Sequence, residues 1–186
     1  MRLFAAIPLA GGAAPAAVEV MSQLAGLGWP VRWTRPEQLH LTLKFFGEVS
    51  ADGAAAIESV LRDETGGVSM IPMELTHLGA FPNPRRARVI WLGLSAPAEL
   101  ERLQHRLEQR WERLGFPGDG RPFQPHVTLG RVRDGARLPA GAARRFGQEP
   151  MHVGFLGAEV VLYESRPGPE GARHQPLASI TLGHPQ

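Results

Sequence analysis

The chain has 186 residues, 43% hydrophobic and 20% charged, with 20 basic side chains against 18 acidic ones and no cysteine. That size suits one domain or two intimately packed lobes around a real core, and the missing cysteines exclude disulfides and thiolate metal sites while fitting a reducing compartment. The opening stretch, Met1 to Ala10, is short and broken by Pro8, so it reads as a first strand of a cytoplasmic protein, neither membrane span nor signal peptide.

Arg2 to Ile7 is the predicted first strand, short and apolar. Gly11-Gly12 turns the chain, and Pro15 opens a helix carrying Val20, Leu24 and Leu27 at helical spacing, ended by Gly28 and Pro30. Val31 to Trp33 is extended, Thr34 to Glu37 turns, and Gln38 to Gly47 forms a strand. Ser50 caps a second helix through Ile57, Val60 and Leu61, stopped by Gly66-Gly67. Met70 to Leu78 alternates as a strand, with Pro72 marking an edge or a strand start. A loop at Phe81 to Arg86 leads to a strong strand, Ala87 to Leu94. The longest apolar stripe follows: Leu100, Leu103, Leu107, Trp111 and Leu114, on a helix opened by Ser95 and Pro97 and closed by Gly115. After a glycine-rich loop at Gly118 to Pro122 comes another strand, beginning near Pro125. Leu138 to Phe146 reads as a short helix. Val153 to Tyr163 and Leu177 to Leu182 read as closing strands around a Gly/Pro turn at Pro167 to Gly171.

Two of these strands carry the same signature. Gln38-Leu39-His40-Leu41-Thr42-Leu43-Lys44-Phe45-Phe46-Gly47 and Pro125-His126-Val127-Thr128-Leu129-Gly130-Arg131 both run His, apolar residue, Thr, Leu. Alternate side chains on a strand share a face. His40, Thr42 and Lys44 therefore point one way, and Leu39, Leu41, Leu43 and Phe45 the other. His126 and Thr128 likewise share a face, opposite Val127 and Leu129. Strict alternation turns Arg131 away from His126; a bulge at Gly130 would bring it back.

Two histidines around one phosphate can divide the work of a base and an acid, because imidazole titrates near neutral pH. Threonine hydroxyls can hold phosphoryl oxygens for in-line attack, and a guanidinium can stabilise the charge that gathers on them. Metal binding is the rival for paired histidines, but each motif offers Thr where a ligand set wants His, Asp or Glu. His77, His105, His152, His174 and His184 show no ligand spacing; each reads as structural or surface.

The paired motifs resemble those of the two-histidine (2H) phosphoesterase superfamily. The opening Arg2 to Ile7, Leu39 to Gly47, Val89 to Leu94, Arg121 to Arg131, and the tail from Leu162-Tyr163-Glu164-Ser165 through Pro176-Leu177 are similar, more closely, to the RNA 2′,3′-cyclic phosphodiesterases, also called the 2′-5′ RNA ligase family. Gly130, where the family more often has Ala, and His174, near a usual Tyr, depart from its pattern. The resemblance implies an α+β fold of two pseudo-symmetric lobes, each an antiparallel sheet with helices outside, enclosing a central groove. Residues 1–186 would form one domain of two intertwined lobes. It also implies metal-independent chemistry without a cofactor, with His40 as proton donor, His126 as proton acceptor, and Thr42, Thr128 and Arg131 on the phosphate. The implied partner is RNA ending in a 2′,3′-cyclic phosphate, tRNA fragments included, met by a monomer with no membrane attachment. Lys44, Arg85 and Arg86 are candidates for the RNA backbone, and Phe46 or Trp33 for stacking on a base; a surface charge or a core aromatic is the equal alternative for each. Two other readings stand beside this one: a small substrate such as ADP-ribose 1″,2″-cyclic phosphate, or a nucleotide-binding module without turnover. Intact His and Thr in both motifs argue against the module.

Overall fold

The computed structural model describes residues 1–95, 97–118, 120–148, 151–168 and 171–183; His184 lies outside them. Nine strands and three α-helices follow in the order β1 (Arg2–Pro8), α1 (Ala13–Gly26), β2 (Val31–Trp33), β3 (His40–Glu48), α2 (Ala51–Thr65), β4 (Ile71–Phe81), β5 (Val89–Ser95), α3 (Ala98–Arg113), β6 (His126–Val132), β7 (Val153–Gly157), β8 (Glu159–Arg166) and β9 (Arg173–Thr181).

Helix α1 begins two residues before Pro15, which is tolerated because the first helical N–H groups have no partner to lose. Its buried side chains are Ala13, Ala17, Met21 and Leu24. Leu27 lies past the last turn and is 44% exposed, released as the chain reverses at Gly28 with φ +70. In α2 the Ser50 hydroxyl accepts from the Gly53 N–H at 3.1 Å, the expected cap. Helix α3 buries Leu100, Leu103, Leu107 and Trp111 completely. Each such burial is worth roughly 1.5–3 kcal/mol. Leu114 falls beyond the helix and is 45% exposed, so the stripe is one residue shorter than its spacing predicts. Between 138 and 146 only a 3-10 turn forms, Ala142–Arg145.

All strand pairings are antiparallel, in one sheet ordered β7-β4-β5-β6-β3-β1-β8-β9, with β2 beside β6. The expected strand from Val153 to Tyr163 is two strands broken at Ala158, and they lie in opposite halves of the sheet. Pro72 is the second residue of β4, a strand start inside the sheet. The halves mirror one another. Strand, helix and antiparallel motif strand recur as β1-α1-β3 and as β5-α3-β6, and the two motif strands meet in the middle. Helices cover one face only: Leu3, Ala5 and Ile7 of β1, Leu41 and Leu43 of β3, Ile90 and Leu92 of β5, and Val127 and Leu129 of β6 join the apolar faces of all three helices in a single core. The other face is the inside of the curl. No helix among the described residues is long and apolar enough to cross a membrane.

Candidate active site

The motif strands touch through the pair Leu41↔Val127. Extending that register one residue each way sets His40 against Thr128 and Thr42 against His126. Leu41 and Val127 point into the core, so the four polar side chains all rise from the opposite, inner face. This is the arrangement expected if the two strands sit side by side.

Just beyond each Thr the alternation breaks. Ala5 faces Lys44 and Ala6 faces Thr42, which leaves Leu43 as an extra residue in β3. Ile90 faces Gly130 and Trp91 faces Thr128, which leaves Leu129 as an extra residue in β6. A β-bulge lets two successive residues share a face. Lys44 is accordingly turned to the helix side, 6% exposed, where its Nζ donates to Glu108 of α3. That corrects the expectation that Lys44 shares the face of His40 and reaches RNA. Phe45 moves to the inner face, opposite Phe4, and is 66% exposed. Phe46, expected as a stacking candidate or a core aromatic, is half-buried against the core, edge-on to Trp111 at 4.9 Å and Phe116 at 5.7 Å. Trp33 is half-buried beside Gly130. In β6 the same device returns Arg131 to the inner face, paired with Val89, and its charge is felt at His126. Arg85 and Arg86 are exposed on a turn whose N–H groups donate to Asn83 Oδ1, each at 3.0 Å.

Both histidines are held alike. His40 Nδ1 lies 2.7 Å from the Gln38 carbonyl oxygen and His126 Nδ1 lies 2.7 Å from that of Gln124. A carbonyl can only accept, so each Nδ1 carries the proton and each Nε2 is left for the groove. Aromatic rings dry them. Phe4 lies 5.0 Å from His40, and Phe81 and Trp91 lie 5.1 and 5.9 Å from His126. The Trp91 ring fits only because Gly79 is opposite: a Cβ there would come within 2.2 Å of it. Burial pushes His40 down to about 4; the Gln38 carbonyl opposes the shift, and the like charges of His174 and His126 add to it. Burial also lowers His126, opposed by the Gln124 carbonyl and reinforced by Arg131.

Sequence reasoning passed over His174, placed with the structural histidines. On β9 it stands edge-on to His40 at 5.6 Å and to Phe4 at 4.8 Å, with Tyr163 of β8 against the same Phe4 ring at 5.1 Å. The signal that could have found it is the alternation of a closing hairpin that carries Tyr163 and His174 on one face. His77 stacks edge-on with Trp91 at 5.5 Å, His105 shares a hydrogen bond with Gln109, and His152 pairs with Glu74. No group of three or more His, Asp or Glu among the described residues is placed to hold a metal ion. Buried side-chain nitrogens without a partner among the described residues are Trp91 Nε1 and His174 Nδ1. Each belongs to a ring beside a motif histidine.

A curled antiparallel sheet with two His-Thr strands at its centre defines an α+β fold shared with solved phosphoesterases. Residues 30–169 match the model of the 2′-5′ RNA ligase superfamily, and the chain belongs to that family. An RNA 2′,3′-cyclic phosphodiesterase of Methanothermobacter thermautotrophicus is 35% identical over 92% of this chain and 93% of its own. One from Archaeoglobus fulgidus is 35% identical over 80% and 82%. Among solved structures, a Thermus thermophilus protein superimposes with a TM-score of 0.84 at 26% identity over all of both chains. Escherichia coli LigT complexed with 3′-AMP superimposes with a TM-score of 0.75 at 28% identity over 97% of each.

Proposed function

We propose that this chain, a single domain of two lobes acting as a cytoplasmic monomer, opens RNA 2′,3′-cyclic phosphate ends to 2′-phosphates by metal-independent acid–base catalysis. The observation that carries the reading is the matched pair of imidazoles, each with Nδ1 tied to a carbonyl two residues back and Nε2 left for one shared groove. Relatives named for this activity across most of the chain, and a nucleoside 3′-phosphate bound by a structural neighbour, support nucleotide ends as the ligand.

His126 Nε2 takes a proton from water as the oxygen attacks phosphorus in line. The P–O3′ bond breaks, and the protonated Nε2 of His40 gives its proton to the departing 3′-oxygen. Thr42 and Thr128 donate to the non-bridging oxygens, and Arg131 offsets the charge that builds on them. Two buried rings of lowered pKa suit a base. The acid needs a proton, and the bound cyclic phosphate anion favours it by standing beside His40. With a 5′-hydroxyl RNA in place of water as the nucleophile, the same ring opening makes a 2′-5′ link, and its reversal cleaves that link back to the cyclic end.

The test uses an oligonucleotide with a 2′,3′-cyclic end, in chelator. Wild type turns it over to the 2′-phosphate; His40→Ala and His126→Ala each lose about 10²–10⁴-fold. Loss of wild-type turnover in chelator overturns the metal-free reading, active single variants overturn the two-histidine one, and faster opening of ADP-ribose 1″,2″-cyclic phosphate overturns the substrate class.

A further inference from the structure

In-line chemistry gives the groove two unlike flanks. Water enters beside the base, and the leaving oxygen departs beside the acid. The leaving 3′-oxygen belongs to the terminal ribose, so the nucleoside must lie on the His40 flank. This step rests on the role assigned to His40 above. On that flank, away from His126, the protein holds a cavity of about 230 Å³ walled by Arg35, Gln38, His40, Tyr163, Arg173 and His174. A second cavity continues from it along Arg173 and His174 toward Arg166.

The chemistry of this wall is that of an anion site beside a nucleoside. Tyr163 and His174 present rings. Arg173 is exposed at the start of β9, and Arg35 reaches the same space from the loop before β3. His174 Nδ1 is buried with no hydrogen-bond partner among the described residues, and its ring packs edge-on to Phe4 and His40. The wall thus brings the Arg173 and Arg35 guanidiniums beside the two imidazoles, with Glu37 as its acidic side chain. A bound phosphodiester would accept charge-assisted hydrogen bonds from the exposed Arg173 guanidinium.

We propose that this cavity is the subsite for the 5′-phosphodiester of the terminal nucleotide, so that the chain reads the RNA strand one phosphate beyond the one it opens. Arg173 is the principal contact and His174 the ring that lies between the two phosphates.

Three substrates test this: adenosine 2′,3′-cyclic phosphate, the dinucleotide ApA with a 2′,3′-cyclic end, and the same dinucleotide with a neutral methylphosphonate link. Wild type is expected to open the charged dinucleotide with kcat/KM about 10-fold or more above the mononucleotide, the range of one charged hydrogen bond. Neutralising the link should remove most of that advantage. Arg173→Gln should cost about 10-fold on the charged dinucleotide while leaving the mononucleotide and the methylphosphonate unchanged, and Arg173→Lys should recover part of the loss. Equal losses on all three substrates, or a methylphosphonate opened as well as the phosphodiester, overturn the subsite. Failure of wild type to open any of the three overturns the function proposed above instead.

Discussion

At the residue scale, burial sets His40 apart, pushing its imidazole down to about 4. His40 is dried by Phe4, Tyr163 and His174 on one side and lies close enough to His126 to feel its charge. In the free protein its C2 proton should titrate near 4 by NMR, and saturating inorganic phosphate should move that titration upward. A titration at the ordinary histidine value without ligand would contradict the burial argument. The same shift has a stability sign. Between the unfolded value of 6.5 and the folded value of about 4, the unfolded chain binds the extra proton, so stability is present in full above 6.5 and falls as pH drops through that window. His126 and His174 are lowered too and act in the same direction. His40→Asn, whose amide can still donate to the Gln38 carbonyl, should flatten the fall in thermal midpoint between pH 6.5 and 4.

At the scale of the element, the two motif strands share a device: His, Thr, bulge, then a fifth-position side chain returned to the groove. In β6 that side chain is Arg131, in β3 it is Phe45, and each stands five residues after its histidine. Alternation was legible through Thr42 and Thr128 because those stretches are regular. It misplaced Lys44 and Phe45, because a bulge is set by pairing with β1 and β5 and leaves no mark in β3 itself. Only Gly130 hinted at one. A Cβ there would come within 2.6 Å of Val31 and 2.9 Å of the Arg32 carbonyl, so Gly130→Ala should cost about 1–3 kcal/mol by overpacking, read as a lower denaturant midpoint. The neighbouring phenylalanines should separate cleanly. Phe46→Ala removes a half-buried ring packed on Trp111 and should cost about 1–3 kcal/mol. Phe45→Ala should stay within about 0.5 kcal/mol of wild type while raising KM for RNA ends, since the exposed ring is free to stack on a base. Equal effects of the two on stability would refute the bulge.

Across the whole molecule, the halves are joined in the centre by the short β3–β6 contact and at the far side by a second seam. After β9 the chain returns to the start of β4. Gly183 donates to the Val68 carbonyl at 2.7 Å and accepts from the Met70 N–H at 2.9 Å, while the Leu182 N–H donates to the Ala158 carbonyl at 2.8 Å. Ala158 is the point where the chain crosses from β7 in one half to β8 in the other. These backbone bonds therefore tie the two halves together a second time, in addition to the short contact between the motif strands. No sequence pattern announces this seam, because its bonds come from Gly183, Ala158 and Val68 main chain and carry no side-chain signature. Leu182 is its one buried anchor, 2% exposed. Leu182→Ala should cost about 2–5 kcal/mol. Hydrogen exchange should then show the amides of Met70 and Leu182 losing protection together, ahead of the β5–β6 amides in the centre of the sheet. If the seam also sets the groove, KM for cyclic-ended RNA should rise in this variant under conditions where it remains fully folded. Loss of protection spread evenly over all strands would show instead that the seam stabilises the fold without governing its curl.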